Sequence, residues 1–131
     1  MFLKLFLIAL PLFIALDFAW LAFIARSYYR SQIGMLLKDD VNVVAAGIFY
    51  VIYICGLVTF VLLPALEKKS WHSALLLGAF FGFIAYSTYD LTNLVVMKNW
   101  PLPVTIVDIA WGTMVAGVVS VVTYFIISKI G

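Results

Sequence analysis

Residues 86–112 read YSTYDLTNLVVMKNWPLPVTIVDIAWG. Two apolar arms are joined by a short turn around Lys98, Trp100, Pro101 and Pro103, and each arm carries one carboxylate, Asp90 or Asp108. The apolar residues of the arms do not keep to one face, as they would on a helix in water. They run all round, as on helices solvated by lipid. A carboxylate in hydrocarbon costs about 2.5 to 3.5 kcal/mol even on the lenient insertion scale. Two of them on neighbouring helices, with a third at Asp17, therefore mark a site as well as a fold.

Composition extends this reading to the whole chain. Of 131 residues, 66% are hydrophobic and 11% charged, and the mean hydropathy of +1.19 lies outside the range of soluble domains. A membrane β-barrel would need segments of alternating apolar and polar residues, and that pattern is absent. The net charge of +2 comes from 8 basic and 6 acidic residues. No basic block is long enough to capture nucleic acid or a strongly anionic surface, so no nucleic-acid partner is expected. Cys55 is the one cysteine, lies in an apolar run, and reports no redox compartment.

The expected architecture is all-α: a single polytopic domain over 1–131, with four antiparallel transmembrane helices at roughly 5–25, 43–63, 74–97 and 104–127. The first run imitates a signal peptide behind Lys4, but Asp17 interrupts it and no small-x-small cleavage site follows. Pro11 is a candidate kink that could aim Asp17 inward. The polar interval 26–42 holds Arg26, Arg30, Lys38, Asp39 and Asp40, with Tyr28 and Tyr29 suited to the headgroup layer and a turn or two of interfacial helix. Pro64 stops the second span, and Trp71 and Trp100 read as interfacial belt residues. Gly78 and Gly82 have the small-xxx-small spacing that permits close helix contact, and a homo-oligomer through that face is one expectation. An even number of spans puts both termini on one side. Basic residues divide four against four, Lys4, Lys68, Lys69 and Lys129 facing Arg26, Arg30, Lys38 and Lys98, so charge gives no orientation. A dual-topology dimer has such a balance too.

Counted at about 1.5 Å per residue, Asp17 lies about 12 Å deep, Asp90 and Tyr50 about 11 Å and Asp108 about 8 Å. Four helices thus bring polar groups to one layer. Tyr86, Asp90 and Asn93, at i, i+4 and i+7, share a face, with Tyr89 on its flank. Asp17 with Trp20, and Asp108 with Trp111, repeat Asp-x-x-Trp on helices of opposite direction. No Lys or Arg lies inside a span, and Arg26 reaches only about half-way to Asp17. The three acids are therefore expected to hold protons, share one, or attract an external cation, and rings of Tyr and Trp suit a cation-accepting pocket. The candidate ligand- or proton-binding residues are Asp17, Trp20, Tyr50, Tyr86, Asp90, Asn93, Asp108 and Trp111. The competing reading of each acid is a hydrogen-bond anchor between helices, worth about 0.6 to 2 kcal/mol. Tyr50, Tyr53, Tyr86 and Tyr89 read first as packing residues with satisfied hydroxyls. No cofactor is implied, and no metal cluster, since His72 is the only histidine and falls at the opposite interface.

These residues are similar to a known family. Asp17-x-x-Trp20-Leu21, Tyr29 and Gly34 in YRSQIG, Phe49-Tyr50 through Tyr53 and Gly56, Pro64-Ala65-Leu66, AYSTYDLTNL from Ala85, Trp100-Pro101-Leu102 and VDIAWGT from Val107 together resemble the bacterial membrane proteins of domain of unknown function 2177. The resemblance spans essentially the whole chain. It implies a four-span, multi-pass protein of the bacterial inner (cytoplasmic) membrane with no established activity, and by gene association it points towards envelope lipid chemistry.

Three functions stay open. The first is a module that binds or transports a proton, a small cation or a polar lipid headgroup, with membrane lipid as a partner. Small multidrug transporters are similar in length, span count and charge balance, though not in motif. The second is a membrane-embedded lipid-modifying enzyme or its subunit, using the Asp pair as acid and base. Tyr89-Asp90 is shared with intramembrane aspartyl proteases, but their Gly-x-Gly-Asp is absent, since Thr105, Ile106 and Val107 precede Asp108. The third is a structural assembly partner.

Overall fold

The computed structural model describes residues 1–24, 26–33 and 42–130, and among these there is no strand. Among the described residues, four helices are long and apolar enough to cross a membrane: a first span at Phe2–Phe23, a second at Val43–Glu67, a third at Trp71–Val96 and a fourth at Leu102–Ile130. The chain is an all-α, multi-pass integral membrane protein. A short polar helix, Arg26–Ile33, follows the first span, where the sequence called for interfacial turns. Gly34, Lys38, Asp39 and Asp40 lie outside the described residues.

Local chemistry sets the helix ends. Asn42 caps the second span by accepting the Ala45 backbone N–H at 3.0 Å, and Ser70 caps the third by accepting the Ser73 N–H at 3.2 Å. Each cap satisfies one of the N–H groups that a helix start leaves without a partner. Pro64 does not stop the second span. The helix widens into a π turn at Val58–Leu62, with the Leu63 N–H reaching the Val58 carbonyl, and continues to Glu67. The wider turn relaxes the backbone that the proline ring would otherwise crowd. The turn before the fourth span passes through Asn99 at a φ of 62°, a conformation that asparagine tolerates better than most residues.

Trp100 then folds back instead of standing in a belt. It is buried, and its indole N–H donates to Thr105 Oγ1 at 3.1 Å. It packs with Val104, Trp20 and Tyr28.

The buried faces recur every fourth residue. On the first span they are Leu5, Ala9, Phe13 and Asp17, and on the third Ala74, Gly78, Gly82 and Asp90. In both, a buried stripe that is otherwise apolar or small ends in an aspartate. The fourth span has two such stripes. Trp111, Val115, Val119 and Ile127 join Leu5, Phe13, Ile54 and Leu57 in the main core with the first and second spans. Gly112, Ala116 and Ser120 face the third span: a Cβ on Gly78 would strike Ser120, and one on Gly82 would strike the Gly112 carbonyl and Ala116. The glycine face thus permits the expected close approach, with the fourth span of the same chain as the neighbour. A homo-oligomer through that face would have to displace this contact.

Candidate functional site

The glycine seam sets the register of the third and fourth spans, and that register builds the site. Gly78 meets Ser120, Gly82 meets Ala116, and the Tyr86 ring lies on Gly112. Each step moves four residues up one helix and four down the other. One step further, Asp90 falls opposite Asp108, and the two carboxyls are electrostatic neighbours. Gly112 is needed at this place, because any Cβ there would enter the Tyr86 ring. With the ring seated on bare backbone, the antiparallel helices stay close through the layer that carries the acids.

The first span supplies the third acid. Asp17 ends its buried stripe at 9% exposure, and the Tyr50 hydroxyl of the second span donates to its Oδ2 at 2.7 Å. A π turn, Trp20–Ile24, begins just past it. Such a turn carries more residues than an α turn and often accompanies functional sites; here both Trp20 and Leu21 reach the same cavity as Asp17. The two Asp-x-x-Trp motifs interleave. Because the helices are antiparallel, Trp20 and Trp111 step towards each other and stack face to face, with centroids 4.5 Å apart and planes 7° from parallel. The Trp111 indole N–H lies near Asp17 yet outside hydrogen-bond geometry.

A cavity of ≈ 330 Å³ opens among the four spans. Of the residues singled out from sequence, Asp17, Trp20, Tyr86, Asp108 and Trp111 line it. Tyr50 touches it only through Asp17. Asp90 does not line it: the side chain is fully buried, and neither carboxyl oxygen has a hydrogen-bond partner. Asn93 is half-buried, away from the lining, and interacts with Tyr89. The acids are thus not one constellation. Asp108 interacts with Asp17 on one side and with Asp90 on the other, and among the described residues no three His, Cys, Asp or Glu side chains are grouped to hold a metal ion. Nor do all three stand without partners, since Tyr50 holds Asp17 and Asp108 has interactions of its own.

Leu21, Phe49, Tyr53, Ala85 and Tyr89 complete the wall. Tyr53 packs as expected, against Phe13, Phe49 and Phe81, but its buried hydroxyl has no partner. Its signal in the sequence is spacing: Phe49 and Tyr53 are one turn apart, flanking Tyr50. The wall therefore offers two carboxyls, two stacked indoles and several phenol rings. These are the components that hold a cation by charge at one point and by ring faces around it.

The sequence profile of a family described as "Predicted membrane protein (DUF2177)" matches residues 2–125. The chain belongs to this family. The matched range takes in every residue that lines the cavity. Comparisons with curated proteins and with solved structures find no match.

Proposed function

We propose that this DUF2177 protein binds, and carries within the membrane, a proton, a cation or a cationic headgroup at Asp17 and Asp108. The observation that supports the reading is that both carboxyls line one cavity walled by the Trp20–Trp111 stack and by tyrosines. A volume of ≈ 330 Å³ exceeds the room one water needs, about 30 Å³, and lies at the small end of ligand sites. That is space for an ammonium group with its substituents. Charge neutralisation favours the occupant, because an acid withdrawn from water gains more from a cation than an exposed one does.

The test is thermal stability of the purified protein in neutral detergent, titrated with tetramethylammonium and with sodium at equal ionic strength. The expected result is a saturable rise in melting temperature with the organic cation that is lost in Asp17→Asn and in Asp108→Asn. If both variants respond as the wild type does, the cavity is not a cation site and the reading fails.

A further inference from the structure

We infer that the ligand is an amphiphile that reaches the cavity sideways from the bilayer, an ammonium head seated at Asp17 and Asp108 and a hydrocarbon tail leaving between Leu21, Phe49 and Tyr89. This rests on the reading above that the cavity takes a cation, and it names the class of cation and its route.

The cavity is graded. Its floor is polar and closed: Asp17 is 9% exposed, Trp111 8% and Tyr53 5%. Its lip is apolar or aromatic and open: Tyr89 is 59% exposed, Phe49 48% and Leu21 44%. Phe49 is flanked by Ile48 and Ile52, both exposed, so this face of the second span is one that lipid covers. Two of the three lip residues are also deep, while Leu21 lies about 3 Å inside the end of the first span at Phe23. At about 1.5 Å per residue, Phe49 lies about 9 Å inside the start of its helix at Val43, and Tyr89 about 10 Å inside the end of its own at Val96. A mouth at that depth faces acyl chains. A water-soluble cation would have to leave water before arriving, whereas an amphiphile already holds its tail in the layer where the mouth opens, and its head has only to move inward.

The shared chemistry is an ammonium on a hydrocarbon chain. It could come from a membrane aminophospholipid or from a free lipophilic amine.

The experiment compares three probes on the full chain in neutral detergent: methylammonium, decylammonium and decanol, which separate charge from tail. Decylammonium is expected to raise the melting temperature at concentrations at least about tenfold below those of methylammonium, through the apolar area its tail buries. Decanol should do nothing. Asp17→Asn and Asp108→Asn should abolish the decylammonium response. Phe49→Ala with Tyr89→Ala, both exposed, should narrow the gap between the two amines to less than about threefold. Equal potency of the two amines overturns the sideways route but leaves cation binding standing. No response to either amine removes both. Native mass spectrometry with phosphatidylethanolamine and phosphatidylglycerol of equal chain length then tells the sources apart. Retention of the ethanolamine lipid by the wild type and its loss in Asp17→Asn identify a membrane lipid. A decylammonium response without lipid retention identifies a free amine, and preferential retention of phosphatidylglycerol overturns the assignment.

Discussion

The third and fourth spans are packed in two ways along their shared length. Towards one end the contact is made of Gly78, Gly82, Ala116 and Ser120, with backbone almost on backbone. Towards the other it passes through Tyr86 on Gly112 to the facing acids Asp90 and Asp108, beside a cavity. Lipid gives two apolar helices no hydrophobic reason to associate, so close packing must supply the attraction. The seam provides that attraction, and the site draws on it: helices locked at one end can hold costly groups at the other.

The seam therefore carries the largest expected effect. Gly82→Leu drives a side chain into the Gly112 carbonyl and Ala116, neither of which can move aside without shifting a helix. A loss of about 3 kcal/mol is expected, at the upper end of overpacking costs. Denaturant unfolding in mixed micelles measures it, and cation binding should fail with it because the register of Asp108 depends on the seam. A variant that unfolds like the wild type would show that the close contact does not hold the helices.

The acid end gives the opposite sign. Asp90 is fully buried, and its carboxyl oxygens lie near Asp108 yet outside hydrogen-bond geometry, so its burial is expected to cost stability. Asp90→Leu is expected to raise unfolding free energy by about 2 kcal/mol, since it removes a buried polar group without a hydrogen-bond partner, whose desolvation costs about 1 to 3 kcal/mol. The hydrogen-bond anchor reading predicts a loss instead, so the sign of the change decides between them. Since Asp90 is not in the cavity wall, any change in cation binding would have to pass through Asp108.

How far this was legible in the sequence follows from the same contrast. Depth depends only on the rise per residue, so counting from helix ends was enough to bring Asp17, Tyr50 and Asp108 to one level. The spacing Asp-x-x-Trp likewise placed two indoles near two acids. Which way each helix faces depends on its neighbours, and that was hidden. Tyr86 and Asp90, four residues apart, differ by about 40° around the helix. That is enough for the ring to reach the cavity while the acid turns into the seam between helices, and Asn93 meets Tyr89 outside the lining. Leu21, Phe49 and Ala85 carry no polar atom in their side chains to announce them, and only packing shows them as wall. Pro64 and Trp100 misled for a related reason. Each is read as a boundary by its chemistry, but a π turn absorbs the first and Thr105 satisfies the second.

A smaller effect tests the link between the first and second spans. Tyr50→Phe removes the hydroxyl that donates to Asp17 at 2.7 Å but keeps the ring that meets Phe13 edge-on at 5.8 Å. The expected loss is about 1 kcal/mol, typical of interhelical hydrogen bonds in membranes, with the cation-dependent rise in melting temperature retained. Loss of that rise would make Tyr50 part of the binding machinery, not a support for Asp17.

The smallest effect returns to glycine and isolates what the seam adds. A Cβ on Gly47 of the second span meets nothing within 4 Å, whereas one on Gly82 collides with the fourth span. The same change, glycine to alanine, should therefore have opposite signs at the two positions. At Gly47 it removes backbone freedom from the unfolded chain and improves helix propensity, which stabilises by about 0.5 kcal/mol. At Gly82 the clash outweighs that gain and the protein loses stability. Measuring both variants in one unfolding series cancels the contribution common to every helical glycine, and the difference between them is the packing contribution alone. Equal changes at both positions would mean that glycine serves the third span only as a flexible residue, and that something other than backbone contact sets Asp90 against Asp108.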